Sequence, residues 1–210
     1  TNFVASQSID FLRRRDPRKP FFLFMSFHRP HPPYDPPAWA LDMYLNHQMP
    51  APPVGDWESI LSSYEDRGNP EAFVDPAVPS HILDRARAGY YGSMTHIDHQ
   101  VNRFVETLQM YGLHENTILL FTADHGEMLG DHGMFRKGYA YEGSSRIPLI
   151  VSAPEVYGLG SGSVSDQVVE LRDIMPTLLD CAGLPVPESV EGKSFLSNIQ
   201  GKDLPLRDYL

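Results

Sequence analysis

Cysteine is nearly absent. One residue, Cys181, in 210 excludes an internal disulfide framework and a cysteine-built zinc site. Long apolar runs are absent too: none approaches the roughly 20 residues a membrane-spanning helix needs, so no membrane span is expected. No basic start leads into an apolar stretch, so no signal peptide is read here. Positive charge is scarce. Seventeen Lys and Arg against 27 Asp and Glu leave a formal net charge of −10 at pH 7, which disfavours nucleic acid and anionic membranes as partners. The basic run Arg13-Arg14-Arg15 reads as a helix end rather than a nucleic-acid patch. Also missing are a Gly-rich phosphate loop, a GxSxG elbow and an HExxH helix.

What remains is a globular balance, 41% apolar and 21% charged, long enough to bury a core. The compartment stays open between cytoplasm, periplasm and secretion. Numbering opens on Thr1 rather than Met, so an excised or processed piece of a longer protein is expected.

Apolar spacing predicts a helix over 2–15, stopped by Pro17 and Pro20. Residues 21–27, FFLFMSF, read as a buried strand. From 29 to 53 eight prolines exclude most regular structure. This excursion continues to about 80, and with Trp39, Tyr44 and Trp57 in it, it reads as an ordered wall over a site. Leu83, Ala86, Tyr90, Met94, Ile97, Val101, Phe104 and Leu108 recur at helical spacing. Gly89 and Gly92 weaken that helix by about 1 kcal/mol each relative to alanine, and Gly112 terminates it. Strands are expected over 117–122, 147–152 and 164–170, and a helix over 173–181. This order predicts an α/β protein with a mixed or parallel sheet. His96 and His99 read as a solvated helix face, and Cys181 as a small core residue.

Three polar constellations can carry chemistry. Asp124-His125-Gly126-Glu127 follows a predicted strand, where ligands bind in open α/β sheets. It is either a partial shell for a divalent cation or a capped turn. His28-Arg29-Pro30-His31 ends the first predicted strand and is either an anion-binding and proton-donating group or a loop packed on proline. Arg136-Lys137 is either the counter-charge to an anionic substrate or a solvated basic pair.

Together these segments resemble the type I sulfatases. Residues 20–33, PFFLFMSFHRPHPP, are similar to that family's PFFL…SF-H-x-P-H-x-P segment. Residues 117–133, TILLFTADHGEMLGDHG, resemble its NTIVVFTSDHGE-x-LG-x-HG block. Phe135-Arg136-Lys137-Gly138 with Tyr141-Glu142 resembles the K-G…YE continuation, RIPLI at 146–150 its R-V-P-L-I strand, and DIMPTLL at 173–179 its D-x-x-P-T-L-L helix. The matches run in order from 21 to 196.

The resemblance implies an alkaline-phosphatase-like sandwich around a mixed, largely parallel sheet, incomplete in this chain. Residues 1–210 would be the central and C-terminal part of one sulfatase domain, with 30–80 as the active-site wall. It implies hydrolysis of a small-molecule or glycan sulfate ester. Asp124 and His125 would be metal ligands, for Ca²⁺ in many members, with Mn²⁺ or Zn²⁺ better suited to the imidazole. Lys137 and His31 would be catalytic, Lys137 also contacting the sulfate, with His28 and Arg136 as further substrate-binding residues. The family's nucleophile, a formylglycine made from Cys or Ser in a C/S-x-P-S/A-R motif, matches no segment here. Half of the site is therefore expected from this chain, and no turnover from it alone. Exposed sheet edges in such a piece make self-association an expectation. Two alternatives are a phosphodiesterase or phosphonate monoester hydrolase of the same superfamily, which His125 keeps open, and a noncatalytic module on the same scaffold.

Overall fold

The computed structural model describes residues 1–57, 72–158, 162–202 and 204–208. The part of the proline-rich excursion at 58–71 lies outside them. The chain forms two compact units, one of residues 1–112 and 125–147, the other of 113–124 and 148–210.

In the first unit, helix α1 (Asn2–Arg14) buries Ala5, Ser8, Ile9 and Leu12, the three-and-four spacing of one helix face. Helix α2 (Ala38–Leu45) interrupts the segment expected to be irregular. Pro36 and Pro37 stand just before its first residue, where a missing N–H breaks no helical bond. The eight residues that follow contain no proline. Helix α3 (Ser80–Met110) is the predicted long helix, and it ends before Gly112 at φ 65°.

Gly89 and Gly92 have a purpose that propensity does not show. A Cβ on Gly89 would sit 2.4 Å from the Tyr34 carbonyl oxygen, and one on Gly92 2.9 Å from that of Ala40. The backbone at 34–40 lies directly on α3, and Tyr44 Oη meets Thr95 Oγ1 at 2.6 Å. Strand β1 (Ala72–Val74) pairs antiparallel with a later strand, β3 (Met134–Arg136), Val74 facing Met134. Val74, Met128 and Met134 form a buried cluster with Trp57 and Tyr139 against it. The single turn α4 (Glu142–Ser145) closes this unit's second segment.

In the second unit, β2 (Leu119–Thr122) pairs antiparallel with β4 (Leu149–Ser152) from Leu119↔Ser152 to Thr122↔Leu149. Helix α5 (Ile174–Cys181) and the turn α6 (Leu196–Ile199) follow. A buried ion pair anchors them. Asp173, 0% exposed, accepts two bonds from Arg207 at 2.7 and 2.8 Å, the N–H of Glu170 at 2.8 Å and that of Lys193 at 2.7 Å.

The α/β class stands, but two expected strands do not form. Residues 21–27 join no ladder among the described residues. Phe22 and Phe24 are 74% and 80% exposed, while Phe21, Leu23 and Phe27 are half-buried. The alternation is that of an extended chain, but a strand needs a hydrogen-bonded neighbour. Residues 164–170 also form no strand. Val164 is exposed, and side chains engage the segment instead: Asp173 takes the Glu170 N–H, and Gln167 accepts from Leu206. Both observed ladders are antiparallel rather than parallel. A parallel return needs a long crossover, generally a helix, and between β2 and β4 the described helical elements are single turns. Among the described residues no helix is long and apolar enough to cross a membrane.

Candidate active site

Three histidines and a lysine come together in the first unit. His28 and His31 sit on one tight turn, closed by the His31 N–H donating to the His28 carbonyl at 3.2 Å. Their ring centroids are 4.8 Å apart. Arg29 holds the turn from beneath. It donates to the His31 carbonyl at 3.1 Å, lies 3.3 Å from His28 Nδ1 and pairs with Asp35 at 2.5 Å.

His31 Nδ1 donates to the Pro32 carbonyl at 2.9 Å. A carbonyl only accepts, so Nδ1 carries a hydrogen, and in the neutral ring Nε2 presents its lone pair. Lys137 Nζ stands 3.4 Å from that Nε2, from a position 106 residues later. His125 lies edge-on to His31 at 6.5 Å, and its Nδ1 donates to the Gly126 carbonyl at 2.7 Å. Two imidazoles are thus oriented in the same way, each by the carbonyl of the following residue.

The loop carrying His125 and Lys137 is folded back on itself. The N–H groups of Gly126 and Glu127 bond to the carbonyls of Ser144 and Gly143, each at 2.7 Å, and Met128 donates to Arg136 at 2.8 Å. A Cβ on Gly126 would fall 2.1 Å from the Gly143 carbonyl oxygen, so only glycine fits there. Glu127 accepts from the backbone N–H of Arg136 and from that of Leu129 at 3.3 Å, and its charge bears on the nearby Tyr34 hydroxyl. Burial, then the Glu127 charge, push the Tyr34 hydroxyl well above its ordinary pKa. Burial and then Glu127 raise Tyr90 to about 12. Neither phenol ionises near neutral pH, so both remain donors.

Of the six residues the sequence singled out, His28, His31, His125 and Lys137 are brought together. The charge of Arg136 bears on Tyr34, and its side chain lines a cavity of about 200 Å³ with Pro32, Tyr34 and Phe135. Asp124 belongs to the second unit and is exposed. A larger cavity of about 470 Å³ lies beside His28, lined also by Arg29, Asp35, Ser93 and His96. The His96 ring is more than a solvated face. It meets Asn2 Oδ1 at 2.8 Å and Trp39 edge-on at 6.1 Å, and burial lowers its pKa. Cys181 is half-buried, and burial, then Asp180, raise its thiol pKa.

Sequence reasoning missed Glu127 and Tyr34 as members of this neighbourhood. Glu127 stood inside the noticed constellation, but nothing in its spacing announces two converging backbone donors. The donor set suits a divalent cation in part. The Nδ1 bond of His125 leaves Nε2 as the atom a metal would take, the usual arrangement for an oriented ligand imidazole. Among the described residues no group of three or more His, Cys, Asp or Glu side chains gathers as a metal site.

A sulfatase family profile matches residues 1–184. An arylsulfatase of Clostridium perfringens is 52% identical over 211 residues, covering 100% of this chain and 44% of that protein. The phosphonate monoester hydrolase of Agrobacterium radiobacter superposes with a TM-score of 0.82 at 29% identity, covering 96% of this chain and 42% of the other. A protein solved with its substrate D-glucosamine-2-N,6-O-disulfate superposes at 0.84 with 22% identity, covering 99% of this chain and 53% of the other; that likeness speaks for the fold, which is alkaline-phosphatase-like. The chain spans less than half the length of the arylsulfatase it matches. With the profile covering most of its residues, this chain belongs to the sulfatase family.

Proposed function

We propose that this chain supplies half of the site of a sulfate-ester hydrolase, as the central and C-terminal part of one sulfatase domain. The observation that carries the reading is the Lys137 Nζ to His31 Nε2 contact at 3.4 Å. It sets a cation against an oriented imidazole at the place where the family's sulfate would lie. Lys137 neutralises charge on the ester oxygens as the bond to sulfur breaks. Lys137 hands a proton to the departing alcohol oxygen, either directly or through His31, whose Nε2 takes the proton from Nζ and passes it on. His28 extends the same ledge towards the 470 Å³ cavity, which receives the alcohol portion of the substrate, a small molecule or a sulfated sugar. Arg136, placed towards Tyr34, remains a candidate substrate contact by resemblance alone.

Asp124 and His125 are the residues that would hold a divalent cation, Ca²⁺ by family habit and Mn²⁺ or Zn²⁺ by the chemistry of imidazole. Such a cation adds positive charge against the ester oxygens when bound. Members of this family generally use a divalent metal and formylglycine.

The test compares the 210 residues with the gene product at its full natural length, on an aryl sulfate and an aryl phosphate, with Ca²⁺ and then Mn²⁺. Sulfatase turnover by the full-length protein, lowered roughly 10²–10⁴-fold by Lys137→Ala, supports the proposal. Turnover by the 210 residues alone would overturn the half-site reading. Preference for the phosphate or a phosphonate ester would move the chain to the second reading, which the phosphonate monoester hydrolase at 29% identity favours. No turnover, and no metal binding that Asp124→Ala removes, would leave a noncatalytic scaffold.

A further inference from the structure

We infer that Glu127 is a positioning residue: its carboxylate holds Arg136 in the left-handed backbone region and thereby sets Lys137 against His31. For its kinetic consequences this rests on the sulfate-ester reading above.

Arg136 has φ 67°, a region that residues with a Cβ populate sparingly. Both of its peptide groups are held. Its carbonyl accepts from Met128 at 2.8 Å, and its N–H donates to Glu127 Oε1. A bond to a charged acceptor is about twice as strong as a neutral one. Lys137 is the next residue, so the φ of Arg136 decides where the lysine points. A return to negative φ would swing Nζ away from the imidazole.

The same carboxylate oxygen also accepts the N–H of Leu129, itself left-handed at φ 47°. Two backbone donors thus converge on it, and a carboxylate is acceptor-only with room for both. A glutamine keeps one accepting oxygen but not the charge.

The experiment uses the enzyme at its full natural length and two aryl sulfates whose leaving groups differ in basicity. Glu127→Ala is expected to lower kcat roughly 10–100-fold, more for the more basic leaving group, with a smaller change in KM. Glu127→Gln should lose about tenfold or less. The decisive arm is a double-mutant cycle. Glycine adopts positive φ freely, so in the Arg136→Gly background Glu127→Ala should cost no more than about threefold. A crystal structure of Glu127→Ala should show Arg136 at negative φ and Lys137 Nζ beyond hydrogen-bond reach of His31. An equal loss in both backgrounds, an unchanged kcat, or an intact Lys137–His31 contact overturns the inference. If Glu127→Ala does not fold, Glu127→Met, which keeps the chain length and removes the accepting oxygen, carries the same comparisons. If the wild-type enzyme turns over no sulfate ester, the sulfatase reading fails, and the crystal structure still decides the role of Glu127.

Discussion

Asp173 shows how much one side chain can hold. Burial alone would raise its pKa, but the bonds from Arg207, from the Glu170 and Lys193 N–H groups, and the Arg207 charge outweigh that and lower it. A depressed carboxylate stabilises the fold at every pH above its unfolded value near 4, and the contribution fades as pH falls through the folded value. The urea midpoint is therefore expected to hold steady through neutrality and to drop below about pH 4, and Asp173→Asn should flatten that acid limb. Arg207→Ala leaves the buried carboxylate without its cation and should cost about 3–5 kcal/mol in urea denaturation. None of this was readable beforehand. Asp173 appeared only as the start of a helix motif, and its partner lies 34 residues away, with no periodicity to link them.

Among the elements, α3 was the most legible and its glycines the least. Its apolar stripe recurs over many turns, so the pattern survives one misread position. Gly89 and Gly92 looked like weak points because propensity counts only the helix itself. The contact that explains them comes from another segment, the backbone of residues 34–40. Gly89→Ala should therefore destabilise by roughly 1–3 kcal/mol, although alanine favours an isolated helix by about 1 kcal/mol. Urea denaturation gives the sign. Residues 21–27 failed in the opposite way. Their composition reports a buried face, whereas strand pairing depends on a neighbour that a local window cannot supply. Of the candidate site, the histidine and lysine positions were legible through motif resemblance. Their meeting was not, because the separations of 106 residues between His31 and Lys137 and 94 between His31 and His125 are closed only by the fold.

For the whole molecule, the exposed aromatic rings carry the clearest expectation. Phe22 and Phe24 stand on the same side of an extended stretch, 74% and 80% exposed, an apolar surface of the kind that favours association. The 210-residue chain should show a mass by light scattering that rises with concentration, and Phe24→Lys should suppress the rise. Invariant mass in the wild-type chain would show that the rings are tolerated in water.

The division into two units also assigns the chain its own optical probes. Both tryptophans, Trp39 and Trp57, belong to the first unit, and the only cysteine, Cys181, to the second. Indole emission thus follows one unit and thiol titration the other, with no label engineered in. Coincident denaturation midpoints would mean a single cooperative body, and separated midpoints two bodies that melt independently. The composition that makes this chain poor in cysteine is what makes the second signal unambiguous.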